Sequence, residues 1–267
     1  MQLLSKWLTT SLTTRLVLGL LGLVLACAAA YSKTQPIKLL VLGDSISAEY
    51  GLKRGTGWVA LLESRMAESV NWTEQVKVSS NSAQSATNKI AAQANNMPPT
   101  GQKGINFSTN FSIVNASISG ETTAGGRARL AALLSLHKPS HVIIELGAND
   151  ALRGLPVQAA QNNLNAMTQM ALNSGAKVLI VGMQIPPNYG KDYTEQFSAV
   201  FGNVVKANQN EKPKTKNAVA LVPFMLKGVA DSPEYLKFFQ ADRIHPTEAA
   251  QIQILNNVWT VLVKQLP

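Results

Sequence analysis

The chain has 267 residues, 46% hydrophobic and 15% charged, which is enough apolar side chain for a sizeable core and too little charge for a disordered chain. That length suits one α/β domain with appendages. A single cysteine excludes an internal disulfide framework, a cysteine-based zinc finger and an iron–sulfur cluster, and a net charge of +9 without a recognition motif gives no reason to expect a nucleic-acid partner.

Residues 1–30 read as an export signal. Lys6 and Arg15, with no acidic residue, lead into an apolar run from Leu16 that ends in Ala26-Cys27-Ala28-Ala29-Ala30. The run of about 15 residues falls short of the roughly 18 to 20 that span a bilayer comfortably. Cleavage near Ala28 or Ala30 would release a cysteine-free protein to the periplasm or medium. Val24-Leu25-Ala26-Cys27 also loosely resembles a bacterial lipoprotein box, which would leave the chain lipid-anchored through Cys27. An uncleaved anchor or a core helix is the remaining alternative.

From residue 37 to 267 a single domain is expected. Ile37 to Leu42 reads as a buried strand and Trp58 to Met66 as a helix. Residues 78–110 break the rhythm: 17 of 33 are Ser, Thr, Asn or Gln, with Pro98-Pro99 near the middle, so a polar insertion is expected, with a weak surface helix over Ala83 to Ala94. Phe111 to Ala116 is the second strand, followed by a helix over Ala124 to Leu136. The third strand, His141 to Leu146, precedes a helix over Val157 to Leu172. Lys177 to Met183 is the fourth strand, Glu195 to Ala207 a helix and Val219 to Val222 a fifth strand. A last helix is expected from Thr247, as N-cap, to Leu266. Strict alternation of strand and helix implies right-handed βαβ crossovers, a mostly parallel sheet and helices on both faces.

In such a sheet ligands bind beyond the carboxyl ends of the strands. The first strand ends in Gly43-Asp44-Ser45, which presents Ser45 near the start of a helical turn, as a nucleophile or as an N-cap. It is not the G-x-S-x-G elbow, since Ser47 holds the fifth position. Three histidines are candidate bases. His137 and His141 flank Pro139, which forbids a shared helix face for a metal, and both read as surface or strand-entry residues. His245 lies three residues after Asp242, a spacing that lets the carboxylate hydrogen-bond the imidazole. The second and third strands lead into Gly120 and Asn149. A backbone N–H and a side-chain amide there, with the N–H of Ser45, are suitable oxyanion donors, although a turn glycine and a capping Asn would look the same.

Taken together, Gly43-Asp44-Ser45, Gly120, Gly147-x-Asn149-Asp150 and Asp242-x-x-His245 resemble the four blocks of the SGNH (GDSL) hydrolase superfamily. Asn115-Ala116-Ser117-Ile118-Ser119-Gly120-Glu121-Thr122 and Glu145-Leu146-Gly147-Ala148-Asn149-Asp150-Ala151-Leu152-Arg153-Gly154 are closer still to the bacterial periplasmic acyl thioesterase, lysophospholipase and arylesterase branch. The resemblance implies a three-layer α/β/α sandwich with about five strands and no metal or organic cofactor. It implies Ser45 as nucleophile, His245 as base and then acid, Asp242 as its partner, and Ser45, Gly120 and Asn149 as the oxyanion hole. For substrate binding it implies the segment after the third strand, with Ala148, Asp150, Ala151, Leu152 and Leu155 lining the acyl site. The insertion departs from the branch and bears on substrate access.

The expected activity is therefore hydrolysis of acyl esters or thioesters, lysophospholipids included, rising with pH as His245 loses its proton. The alternatives are a carbohydrate acetyl-ester deacetylase, or a non-catalytic envelope binding protein that has no need of Ser45, Asp242 and His245 together. Nucleotide binding would want a G-x-G-x-x-G or P-loop after the first strand, and neither is there. The positive charge suggests weak attraction to anionic lipid surfaces.

Overall fold

The structure is a computed structural model that describes residues 36–68, 110–210 and 218–266. The chain divides into a unit 1–35 and a unit 36–267, and all described residues belong to the second. The proposed signal, with Cys27, and residues 78–109 of the insertion lie outside the described residues.

Five strands form one parallel sheet: β1 (Ile37–Gly43), β2 (Phe111–Asn115), β3 (His141–Glu145), β4 (Lys177–Val181) and β5 (Val219–Val222), in the order β2-β1-β3-β4-β5. β1 and β3, interior strands buried on both faces, carry the continuous apolar runs that such a position demands. Among the described residues there are seven α-helices. They are α1 (58–68), α2 (Thr123–His137), α3 (Ala148–Leu152), α4 (Val157–Asn173), α5 (Lys191–Asn210), α6 (Tyr235–Phe238) and α7 (Gln251–Leu262). α2 packs on α4 and α4 on α5, forming one layer against the sheet. The other layer joins α1 to α7, where Trp58 N–H donates to Gln251 Oε1 at 3.0 Å and the Arg65 guanidinium lies 5.8 Å from the Trp259 ring centre. This is the expected three-layer α/β/α architecture.

The core runs through Leu40, Leu42, Ile143 and Ile144 of the sheet, with Trp58 and Leu62 on one side and Leu164, Phe197 and Phe201 on the other. Two short helices escape the sequence pattern, because α3 and α6 span only five and four residues and offer no periodicity to read. The last helix opens as a 3-10 turn, Glu248–Ala250, and Thr247 makes no side-chain cap: its hydroxyl donates to Lys237 C=O at 3.0 Å. His141, expected at the surface or a strand entry, does open β3 but is buried, between Ser140 Oγ at 2.9 Å and Gln265 C=O at 3.2 Å.

Candidate active site

The strand order reverses between β1 and β3, which opens a crevice at their carboxyl ends. Ser45 follows β1 and Asn149 follows β3, so the topology brings both to that crevice. After Gly43 the chain enters a helical turn, with Ala48 N–H on Asp44 C=O at 2.9 Å and Tyr50 N–H on Ser45 C=O at 3.1 Å. This turn presents the Ser45 hydroxyl with 8% of the residue exposed.

His245 arrives from a loop latched at both ends. Phe239 and Pro246 form an antiparallel bridge, Gln240 N–H donates to His245 C=O at 2.8 Å, and Thr247 N–H donates to Phe238 C=O at 2.8 Å. Within the latch Arg243 takes a left-handed φ of 59°. The tight turn lets Asp242 act on three groups at once. Its Oδ1 accepts from Ile244 N–H at 2.9 Å and His245 N–H at 3.0 Å, and its Oδ2 lies 2.7 Å from His245 Nδ1. Burial raises the Asp242 carboxyl, but these hydrogen bonds outweigh it and hold the pKa at about 2. The other ring nitrogen, His245 Nε2, lies 2.9 Å from Ser45 Oγ, across 200 residues of sequence. The ring of half-exposed Tyr50 stands 4.4 Å from the His245 ring, and Gln240 Nε2 ties the two loops by donating to Tyr50 C=O at 2.9 Å.

The three expected donors lie on the loops that follow β1, β2 and β3. Among the described residues no group accepts from the N–H of Ser45 or of Gly120. Gly120 has a φ of 79°, a left-handed conformation that favours glycine, and its carbonyl accepts from Arg153 Nη2 at 2.8 Å. Asn149 donates one amide hydrogen to Asp44 Oδ2 at 3.1 Å, which leaves its second hydrogen unspent.

The segment after β3 departs from expectation in part. Ala148 and Leu152 are half-buried on the core and Leu155 is exposed, but Asp150 and Ala151 face inward. The Asp150 carboxylate accepts from Thr123 N–H at 2.8 Å and from its hydroxyl at 2.5 Å, so it fixes the start of α2. Sequence reasoning also passed over Glu145, Ser47 and Tyr50. The signal at Glu145 is a lone acidic residue in the third strand, with Val142-Ile143-Ile144 before it and Leu146 after it.

The family model for GDSL-like lipase/acylhydrolase matches residues 39–258. The chain is 42% identical over 247 residues to esterase TesA of Pseudomonas aeruginosa, covering 92% of this chain and 96% of that protein. It is 35% identical over 251 residues to an arylesterase of Vibrio mimicus, covering 94% and 100%. It is 34% identical over 213 residues to thioesterase 1/protease 1/lysophospholipase L1 of Escherichia coli strain K12, covering 80% and 77%. A crystal structure of TesA superposes with a TM-score of 0.63 at 42% identity, over 86% of this chain and 99% of that one. The chain thus belongs to the GDSL-like lipase/acylhydrolase family, as an ester-bond hydrolase.

Proposed function

We propose that the chain hydrolyses acyl esters, thioesters among them, through an acyl-Ser45 intermediate. The observation that carries the reading is the unbroken relay from Asp242 to His245 to Ser45, at 2.7 and 2.9 Å. With the ring proton on Nδ1 facing Asp242, Nε2 is left to take the Ser45 proton as Oγ attacks the carbonyl carbon. The carbonyl π electrons move to oxygen, and the oxyanion is held by Ser45 N–H, Gly120 N–H and the second hydrogen of the Asn149 amide. Collapse re-forms the carbonyl and breaks the bond to the alcohol or thiol, which leaves with the proton from His245. Water then attacks the acyl-enzyme with His245 again as base, releasing the carboxylic acid and free Ser45.

Exposed Tyr50, Ile118, Leu155 and Ile244 lie on the loops that carry Ser45, Gly120, Asn149 and His245, and offer apolar surface to an acyl chain longer than acetyl. Residues 1–30 fit a cleaved export signal that delivers the enzyme to the periplasm or medium, with residues 78–110 as an insertion. The net charge of +9 favours weak attraction to anionic headgroups. Equal sedimentation with neutral and anionic vesicles at low salt would remove that attraction.

The test compares wild type with Ser45→Ala on aryl esters from acetyl to long-chain acyl. Hydrolysis that collapses in the variant and peaks above acetyl supports the reading. An optimum at acetyl favours the carbohydrate deacetylase, and absence of hydrolysis in both proteins favours a binding protein.

A further inference from the structure

The mechanism above uses neither of the two buried carboxyl groups beneath the nucleophile turn, Asp44 and Glu145. Glu145, 2% exposed, closes β3 in register with Gly43 of β1. Its carboxyl fills the space beside that glycine, where a Cβ would stand 2.7 Å from Glu145 Oε2 and 2.7 Å from both Cβ and Oγ of Ser47. Oε2 accepts from Asp44 N–H at 3.2 Å and from the Ser47 hydroxyl at 2.7 Å, and Trp58 Nε1 donates to Ser47 Oγ at 3.2 Å. The residue before the nucleophile and the residue two beyond it therefore hang from one carboxyl oxygen. Asp44, 1% exposed, spends its own carboxylate on the same turn, accepting from Ile46 N–H at 3.0 Å and from the Asn149 amide at 3.1 Å.

We propose that Glu145 is a positioning residue for ester hydrolysis: its carboxyl, buried beneath the nucleophile turn, sets the place of the Ser45 N–H and, through Asp44, the aim of the Asn149 amide. The proposal rests on the oxyanion-hole reading given above and extends it to a residue that meets no reacting atom. The ionisable group that faces Glu145 is Asp44; beyond it, His245 on the loop before α7 and Asp150 on α3 act on Asp44. Burial first, and then the Asp44 charge, push the Glu145 carboxyl well above the usual carboxylate range, and a hydrogen bond with the Asp44 side chain works in the same sense. Glu145 thus serves as an acceptor toward the turn, through its Oε2 on Asp44 N–H and the Ser47 hydroxyl. An amide of the same shape offers the same acceptor oxygen, whereas a shorter carboxylate does not offer it at the right distance.

The experiment measures kcat and KM on an aryl ester, per active site titrated with an aryl phosphonate, for Glu145→Gln, Glu145→Asp and Glu145→Ala, with Ser45→Ala as control. Glu145→Ala and Glu145→Asp should lose about 10²-fold in kcat at little-changed KM, the loss typical of a displacement near 1 Å at a reacting centre. Glu145→Gln should stay within about threefold of wild type, because its amide oxygen keeps the acceptor beneath the turn. If Glu145→Ala fails to fold, the ranking of Gln above Asp carries the test. Unchanged kcat per titrated site in Glu145→Asp, whatever its thermal stability, would reduce Glu145 to a structural residue and overturn the proposal. Gln as poor as Asp would overturn it as well. Activity surviving in Ser45→Ala would instead strike the reading of the nucleophile.

Discussion

Replacing Asp242 by Asn tests the relay with the least disturbance of its surroundings. The Asn side-chain oxygen can keep the place of Oδ1, accepting from the N–H groups of Ile244 and His245 now at 2.9 and 3.0 Å, so the turn should survive. The amide nitrogen then takes the place of Oδ2, which lies 2.7 Å from His245 Nδ1. A donor at that distance forces Nδ1 to accept, and the ring proton moves to Nε2, facing Ser45 Oγ. The imidazole in that tautomer cannot take the serine proton, and the cation formed during attack loses its counter-charge. In serine hydrolases this exchange costs about 10⁴-fold in kcat, equivalent to about 5 kcal/mol of barrier. The assay is steady-state hydrolysis of an aryl ester at neutral pH, with thermal unfolding as a control that should match wild type. A loss below about 30-fold, or one confined to KM, would refute the assigned role of Asp242.

Removing the Asn149 amide in Asn149→Ala should cost about 10²- to 10³-fold in kcat with little change in KM, measured on the same ester. Gly43→Ala should destabilise the fold by about 1 to 3 kcal/mol in urea unfolding, since the new Cβ meets the Glu145 and Ser47 oxygens at 2.7 Å in a closed space. Burial lowers the His141 pKa below its ordinary value of 6.5, so the folded protein keeps the ring neutral where the unfolded chain would protonate it. Both states hold the ring neutral above about pH 6.5, stability is lost as the pH falls below that value toward the lower folded pKa, and His141→Gln should flatten the fall in unfolding free energy between pH 7 and pH 5. Asp44, raised to about 6 chiefly by burial, works in the opposite sense: the folded state holds a proton that the unfolded chain has released, and stability drops as pH rises from about 4 to 6. Asp44→Asn should remove that drop in the same titration.

Much of this fold is legible because its strands are short apolar runs with helices between them. β5 falls at Val219–Val222 as its run predicts, and α4 ends within one residue of expectation. The relay is legible for local reasons: histidine is scarce, and Asp242 reaches His245 across three residues. Glu145 is different. Its meaning depends on lying beside Gly43 in the sheet, a pairing between residues 102 positions apart that no local pattern carries. His141 is buried because the Gln265 carbonyl covers it, another contact made only by the folded chain. Asp150 and Ala151 turn inward because α3 starts directly after Gly147, which rotates those positions toward the start of α2, as the Asp150 bonds to Thr123 record.

The most direct measurement is intact-protein and peptide mass spectrometry after brief reaction with an aryl phosphonate, which a serine hydrolase captures by the same attack that opens an ester. The account predicts one phosphonyl group per chain, on the peptide containing Ser45, formed in parallel with loss of esterase activity and absent from Ser45→Ala. A stoichiometric adduct on another residue, or full inactivation with Ser45 unmodified, would contradict it.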